Sequence, residues 1–164
     1  MANLKIVLCD TKESRLLEFL RICETVCKQA KKEVDVETFS DRDFFLQKMR
    51  NPTYRSAVDI LIIDPAGDFE ETETATATAV REFGYEWIII YLSRSKDQKF
   101  LQQAFDNEAY NYCEKSNPDR FAIVLTNAIR TVTREKYPPE GIAFSWDLRK
   151  KRCQDQLVDC AAGT

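Results

Sequence analysis

Asp10, Asp64, Ser93 and Lys115 each stand at or just past the end of a short apolar run, in the stretches VLCD, ILIID, IIYLS and YNYCEK. Brought to one place, two carboxylates, a hydroxyl and an ammonium form a set able to accept and hold a phosphoryl group. One carboxylate serves as nucleophile, the hydroxyl donates to phosphoryl oxygens and the lysine supplies fixed positive charge. Two neighbouring carboxylates repel unless a cation lies between them, and a hard, oxygen-seeking ion such as Mg²⁺ is the usual answer. Taken singly, Asp64 reads as a helix cap, a metal ligand or a nucleophile, with the cap the plainest of the three. Its company decides between them.

The rest of the composition narrows the chemistry. The chain of 164 residues contains no histidine, which excludes Ser-His and Cys-His pairs, a histidine-ligated metal and a phosphohistidine carrier. A net charge of -3, with 44% apolar and 31% charged residues, describes an ordinary globular chain and not a basic nucleic-acid binder. No apolar run approaches the roughly 20 residues of a membrane span, and MANLKIVLCD lacks the layout of a signal peptide. A cytoplasmic location is therefore expected, and the six cysteines read as reduced thiols. Cys9, Cys23, Cys27 and Cys113 fall in core-like patterns, while Cys153 and Cys160 fit no zinc spacing. The run RKKR at 149–152 reads as a solvated helix face.

The elements that must position the four residues alternate in period. LKIVLC (4–9), VDVETF (34–39), VDILII (58–63), WIIIYL (87–92) and YNYC (110–113) are expected strands. Between them lie helix-period stripes. Leu16, Leu20, Cys23, Cys27 and Ala30 recur at helical spacing. Ser40 and Asp43 make a capping-box signature ahead of Phe44, Phe45 and Met49. The threonine- and alanine-rich stretch after Asp64 carries only a weak stripe, and Ser95 with Gln98 suggests a cap for a helix through Phe100, Leu101, Ala104 and Phe105. Asn117-Pro118 is an N-cap and N1 pair for a helix carrying Phe121, Leu125, Ala128, Ile129 and Val132, which YPP (137–139) stops.

Five consecutive βα units, two or three of whose strands are apolar on both faces while VDVETF alternates as a half-exposed strand, predict a three-layer, flavodoxin-like α/β fold with parallel sheet order 2-1-3-4-5 and a short C-terminal extension. The expected boundary divides residues 1–137 from an extension over 138–164, which contains a possible short strand in GIAFSW and a possible helix after it. In that order the first and third strands are neighbours at the switch point, where such sheets bind ligands outside their carboxyl ends. Asp10 and Asp64 should flank it, with Ser93 and Lys115 alongside.

These residues resemble the receiver domain of bacterial response regulators, over residues 4 to about 135. The strand-end acid in VLCDT, the aspartate in LIIDPAG, the serine in IIYLSRS and the aromatic and lysine in YNYCEK carry the likeness. The 29 residues from Asp64 to Ser93 and the 22 from Ser93 to Lys115 are usual for the family, and the 54 from Asp10 to Asp64 somewhat long. VLCD and TFS look most like receivers that precede LytTR-type DNA-binding modules. The resemblance implies that Asp64 is the phosphoacceptor. It also implies that Asp10 belongs to an acidic Mg²⁺ pocket, completed by the carboxylate of Asp64 and the backbone carbonyl of Ala66. Ser93 and Lys115 would contact the phosphoryl oxygens, and Tyr112 would be the aromatic that reports switching.

The departures from that pattern are specific. Thr11 stands where the family has its second acid, which weakens the expected Mg²⁺ binding. Arg94 replaces the small residue after the switch hydroxyl, and Ser116 replaces the proline after the lysine, so no cis peptide is expected there. The implied function is phosphorelay signalling without enzymatic turnover. A histidine kinase or phosphotransfer protein would be the partner, with dimerisation through the face of the fourth helix, fifth strand and fifth helix. Nucleic acid would be met only through an output domain. Two alternatives stand beside it. One is a pseudo-receiver acting as a phosphorylation-independent interaction module, favoured by Thr11, Arg94 and Ser116. The other is an unrelated flavodoxin-like enzyme, opposed by the absence of a glycine-rich phosphate loop among only four glycines.

Overall fold

Ile60 to Ile63 has no polar side chain, so it is stable only where both its faces are covered. The computed structural model, which describes residues 4–10, 12–64, 75–84, 87–93, 102, 106 and 108–136, places this run at the centre of a sheet. The strands are β1 (Leu4–Cys9), β2 (Val34–Phe39), β3 (Ile60–Ile63), β4 (Ile88–Ser93) and β5 (Asn111–Glu114). All four pairings are parallel and the order is β2-β1-β3-β4-β5, as expected. Every residue of β3 and β4 is buried, whereas in β2, at one edge, only Phe39 is fully buried.

The helices are α1 (Glu13–Gln29), α2 (Arg42–Met49), α3 (Pro52–Ala57), α4 (Ala75–Phe83) and α5 (Pro118–Lys136). Strand alternation divides the core in two. On one face Ile6, Leu8, Ile62 and Ile90 meet α1 and α5, where Phe19 and Phe121 stack edge to face at 5.1 Å. On the other face Val7, Leu61, Ile63 and Ile89 meet Phe45 and Met49 of α2 and Val80 of α4. Each such side chain contributes about 1.5–3 kcal/mol on burial, which makes the two-sided packing the main source of stability.

Local chemistry sets the helix ends. Asn117 accepts from the Arg120 N–H at 3.1 Å, the cap expected from Asn-Pro. The cap of α2 is Asp41, which accepts from the Asp43 and Phe44 N–H groups, and not the Ser40–Asp43 box. The helix starts one residue later than that box requires, and a carboxylate accepts more strongly than a hydroxyl. The α1 terminus closes by two reverse bonds, Lys31 N to Lys28 O and Lys32 N to Cys27 O, with Lys31 at φ 54° where glycine is usual. The helix expected over Phe100, Leu101, Ala104 and Phe105, its Ser95–Gln98 cap, the YPP stop and the 138–164 extension lie outside the described residues. No described helix is long and apolar enough to cross a membrane.

Cys9, Cys23, Cys27 and Cys113 are buried thiols outside any disulfide. Burial pushes the Cys9 thiol up to about 12, with the charges of Asp10, Asp64 and Asp41 adding to it, and raises Cys27 to about 11 and Cys23 further. Against the ordinary 9.0, Cys9 then carries about 10³-fold less thiolate. In the native protein at neutral pH, iodoacetamide is expected to leave Cys9 and Cys23 unmodified until urea is added. Alkylation of either at the rate of an unfolded thiol would contradict this packing. The stability that comes from keeping these thiols neutral is complete below their ordinary 9.0 and is lost as pH climbs toward the raised values.

Candidate functional site

The carboxyl ends of β1, β3, β4 and β5 lie side by side, so the residue that follows each strand reaches the same edge of the sheet. Asp10 follows β1, and its backbone N–H donates to the Phe39 carbonyl at 3.1 Å, extending the β1–β2 ladder by one residue. Its Oδ1 accepts from the Lys12 N–H at 3.0 Å, which turns the chain into α1 and fixes the carboxylate. Asp64 follows β3. Lys115 follows β5, where its N–H donates to the Ser93 carbonyl at 2.6 Å.

The side chains converge on the ammonium. Lys115 Nζ lies 2.6 Å from Asp10 Oδ2 and 2.8 Å from Asp64 Oδ2. The Asp10 and Lys115 side chains are each 3% exposed and that of Asp64 9%, so the three charges meet largely out of water. Desolvating three charges costs several kcal/mol per ion, offset here by a hydrogen-bonded ion pair to Asp64 and a close ion pair to Asp10 whose angle falls short of a hydrogen bond. These three groups together carry two carboxylates to one ammonium, and Asp64 is the most accessible of the three.

Ser93 is 2% exposed at the end of β4 and joins the same edge, with its carbonyl engaged by Lys115. Tyr112 is 2% exposed and turned inward, its ring 6.2 Å from that of Tyr91. Ser116 is exposed and donates to Glu114 at 3.3 Å, and no cis peptide occurs among the described residues. Thr11, Ala66 and Arg94 lie outside the described residues. Arg81 was not singled out by any sequence pattern, yet it is buried at 7% exposure and donates to two backbone carbonyls. A charged residue on the apolar stripe of a short helix was the available signal.

Among the described residues no group of three metal-binding side chains gathers. Asp10 and Asp64 do flank one point, and it is held by the Lys115 ammonium. Mg²⁺ keeps several waters and takes one or two carboxylates with phosphate oxygens, so the donor chemistry fits the ion, with Lys115 as its competitor for the two carboxylates.

No family model matches the sequence, and neither does any curated protein. Solved structures do match. The chain is similar to a response regulator receiver domain protein of Clostridium thermocellum, with TM-score 0.61 and 18% identity over 78% of this chain and 95% of that one. It is also similar to a response regulator receiver protein of Pseudoalteromonas atlantica, with TM-score 0.60 and 13% identity over 79% and 97%. The beryllofluoride-activated DrrB receiver domain, from a Thermotoga maritima regulator, gives TM-score 0.55 and 17% identity over 78% and 98%. At these identities the likeness establishes the fold: a flavodoxin-like α/β domain of the kind found in response-regulator receivers.

Proposed function

We propose that this chain is a receiver module that accepts a phosphoryl group on Asp64 and uses the new charge to switch a protein-interaction face. The carrying observation is the convergence of Asp10, Asp64 and Lys115 at one strand-end edge, with Asp64 the most exposed of the three. An Asp64 oxygen attacks phosphorus and forms the acyl phosphate. The P–N bond of a phosphohistidine donor, or the P–O bond of acetyl phosphate, breaks, and the leaving group departs with its electron pair. Lys115 holds the incoming oxygens against the negative field of Asp10, and the Ser93 hydroxyl is their nearest expected donor. Mg²⁺, held by Asp10, Asp64 and the Ala66 carbonyl, would neutralise charge on those oxygens. Under this reading the module signals without turnover, a histidine kinase or phosphotransfer protein is its donor, and Tyr112 and the dimer face respond to it. The VLCD and TFS stretches support a LytTR-associated type.

Incubation with acetyl phosphate and Mg²⁺ is expected to add one phosphoryl group by intact mass, and Asp64→Asn is expected to abolish the gain. An unchanged mass, or a gain that survives Asp64→Asn, counts against the proposal. Thr11→Asp is expected to raise the yield at low Mg²⁺ by supplying the second acid. A second reading, a pseudo-receiver that binds partners without phosphorylation, is favoured by the Lys115 bridge, since an internal ammonium already neutralises much of the site. A beryllofluoride-induced shift of Tyr112 together with a change in oligomeric state would sink it.

A further inference from the structure

β5 is four residues long and lies at the edge of the described sheet, so among the described residues β4 alone holds it by a ladder. Such a strand slides or frays unless its ends are fixed. Its far end is fixed at the site by the Lys115 N–H to Ser93 bond. Its near end is approached through Glu108, a non-glycine residue at φ 55°, in the left-handed region that costs about 1–2 kcal/mol unless its surroundings impose it. The Glu108 carbonyl accepts from Arg81 Nη2 at 2.9 Å, and Arg81 Nη1 reaches the Gly84 carbonyl at 3.5 Å. Two residues on, the Tyr110 N–H donates to Ile89 at 2.7 Å and the ladder begins.

We infer that Arg81 is a positioning residue for Lys115, acting through β5 from the opposite end of the sheet. A buried guanidinium is a costly way to fasten a helix to a turn, and it is retained where planar, forked donation sets the direction of two carbonyls at once. An extended strand is stiff along its axis, so a displacement of the turn at Glu108 is passed along Asn111–Glu114 to Lys115. There the 2.6 and 2.8 Å contacts tolerate only tenths of an ångström. A whole-residue slip would turn every side chain of β5 to the other face. Tyr112 lies on the same strand, so its inward packing against Tyr91 depends on the same anchor. The inference concerns the Lys115 bridge itself and stands whether or not Asp64 takes a phosphoryl group.

The test is the reactivity of the Lys115 amine. Pulsed labelling of the whole chain with an amine-acylating reagent, read peptide by peptide by mass spectrometry, should find Lys115 protected in the parent protein. In Arg81→Met it is expected to label at least about tenfold faster under conditions where far-ultraviolet circular dichroism shows the variant folded. Arg81→Lys keeps one donor to Glu108 and should restore much of the protection. If Arg81→Met loses stability while Lys115 stays as protected as in the parent, Arg81 is a plain staple and the inference is wrong. Should Arg81→Met not fold, Arg81→Gln, whose shorter amide cannot span to the Glu108 carbonyl, decides, since labelling at least a few-fold above the parent supports the inference and an unchanged rate overturns it.

Discussion

Lys115→Met is expected to lower the unfolding free energy by about 3–5 kcal/mol in urea titration, because it takes the shared cation away from the buried Asp10 carboxylate and from the half-buried Asp64. The size follows from burial. Asp10 is 3% exposed and Asp64 9%, so the Asp10 carboxylate above all cannot recover its lost partner from bulk water without opening the strand ends. By contrast Arg15–Glu18 on α1, at 3.6 Å with both side chains 40% exposed or more, is worth a few tenths of a kcal/mol, and Arg15→Ala should be nearly silent. The interpretation has an internal control. Adding Asp10→Asn and Asp64→Asn to Lys115→Met removes the stranded charge and should recover most of the loss, since a neutral isosteric set has no ion to desolvate. A cost below about 1 kcal/mol for Lys115→Met, or no recovery in the triple variant, would mean that the three groups are not coupled as described.

The same burial explains how the site became legible before any coordinates. ILII and IIIY admit only a fully covered strand, and once five strand-like runs alternate with helical stripes, chain order and handedness leave few topologies. That places Asp10, Asp64, Ser93 and Lys115 on one edge by register alone. Their mutual distances were not legible, because a period of two fixes the face of a residue and says nothing of which oxygen an ammonium prefers. Helix boundaries show where short-range signals compete. Ser40 and Asp41 are both competent caps one residue apart, and the carboxylate prevails. α3 went unread although Asn51-Pro52 repeats the Asn117-Pro118 signature, since the helix is six residues long and has no buried side chain to make a stripe. Arg81 gives only a weak signal, for the opposite reason. It is a charge on a buried face where periodicity expects an apolar residue, and the two backbone carbonyls it meets carry no sequence signal of their own.

Phe121→Ala is expected to cost about 3–5 kcal/mol, a large share of the 5–15 kcal/mol typical of a whole domain. Phe121 is fully buried in the first turns of α5, where its ring meets that of Phe19 on α1 at 88°. The truncation removes a large apolar surface and leaves a cavity between two helices whose backbones are held apart by the side chains around it, among them Leu125 and Val124. Phe44→Ala should cost well under 1 kcal/mol, because that ring is 52% exposed and leaves no cavity. A Phe19→Ala, Phe121→Ala cycle separates ring contact from burial. A coupling of about 0.5–1.5 kcal/mol is expected from the edge-to-face pair, and additivity within error would assign the whole cost to lost area. The position also joins stability to the site. α5 begins just after Lys115, and its cap at Asn117 is part of the turn that leaves β5. Loss of the Phe19–Phe121 contact should therefore loosen Lys115 only when α5 itself undocks. Amide exchange at the first turn of α5 and acylation of Lys115 should then rise together in Phe121→Ala, whereas in Arg81→Met the lysine should loosen while α5 stays protected.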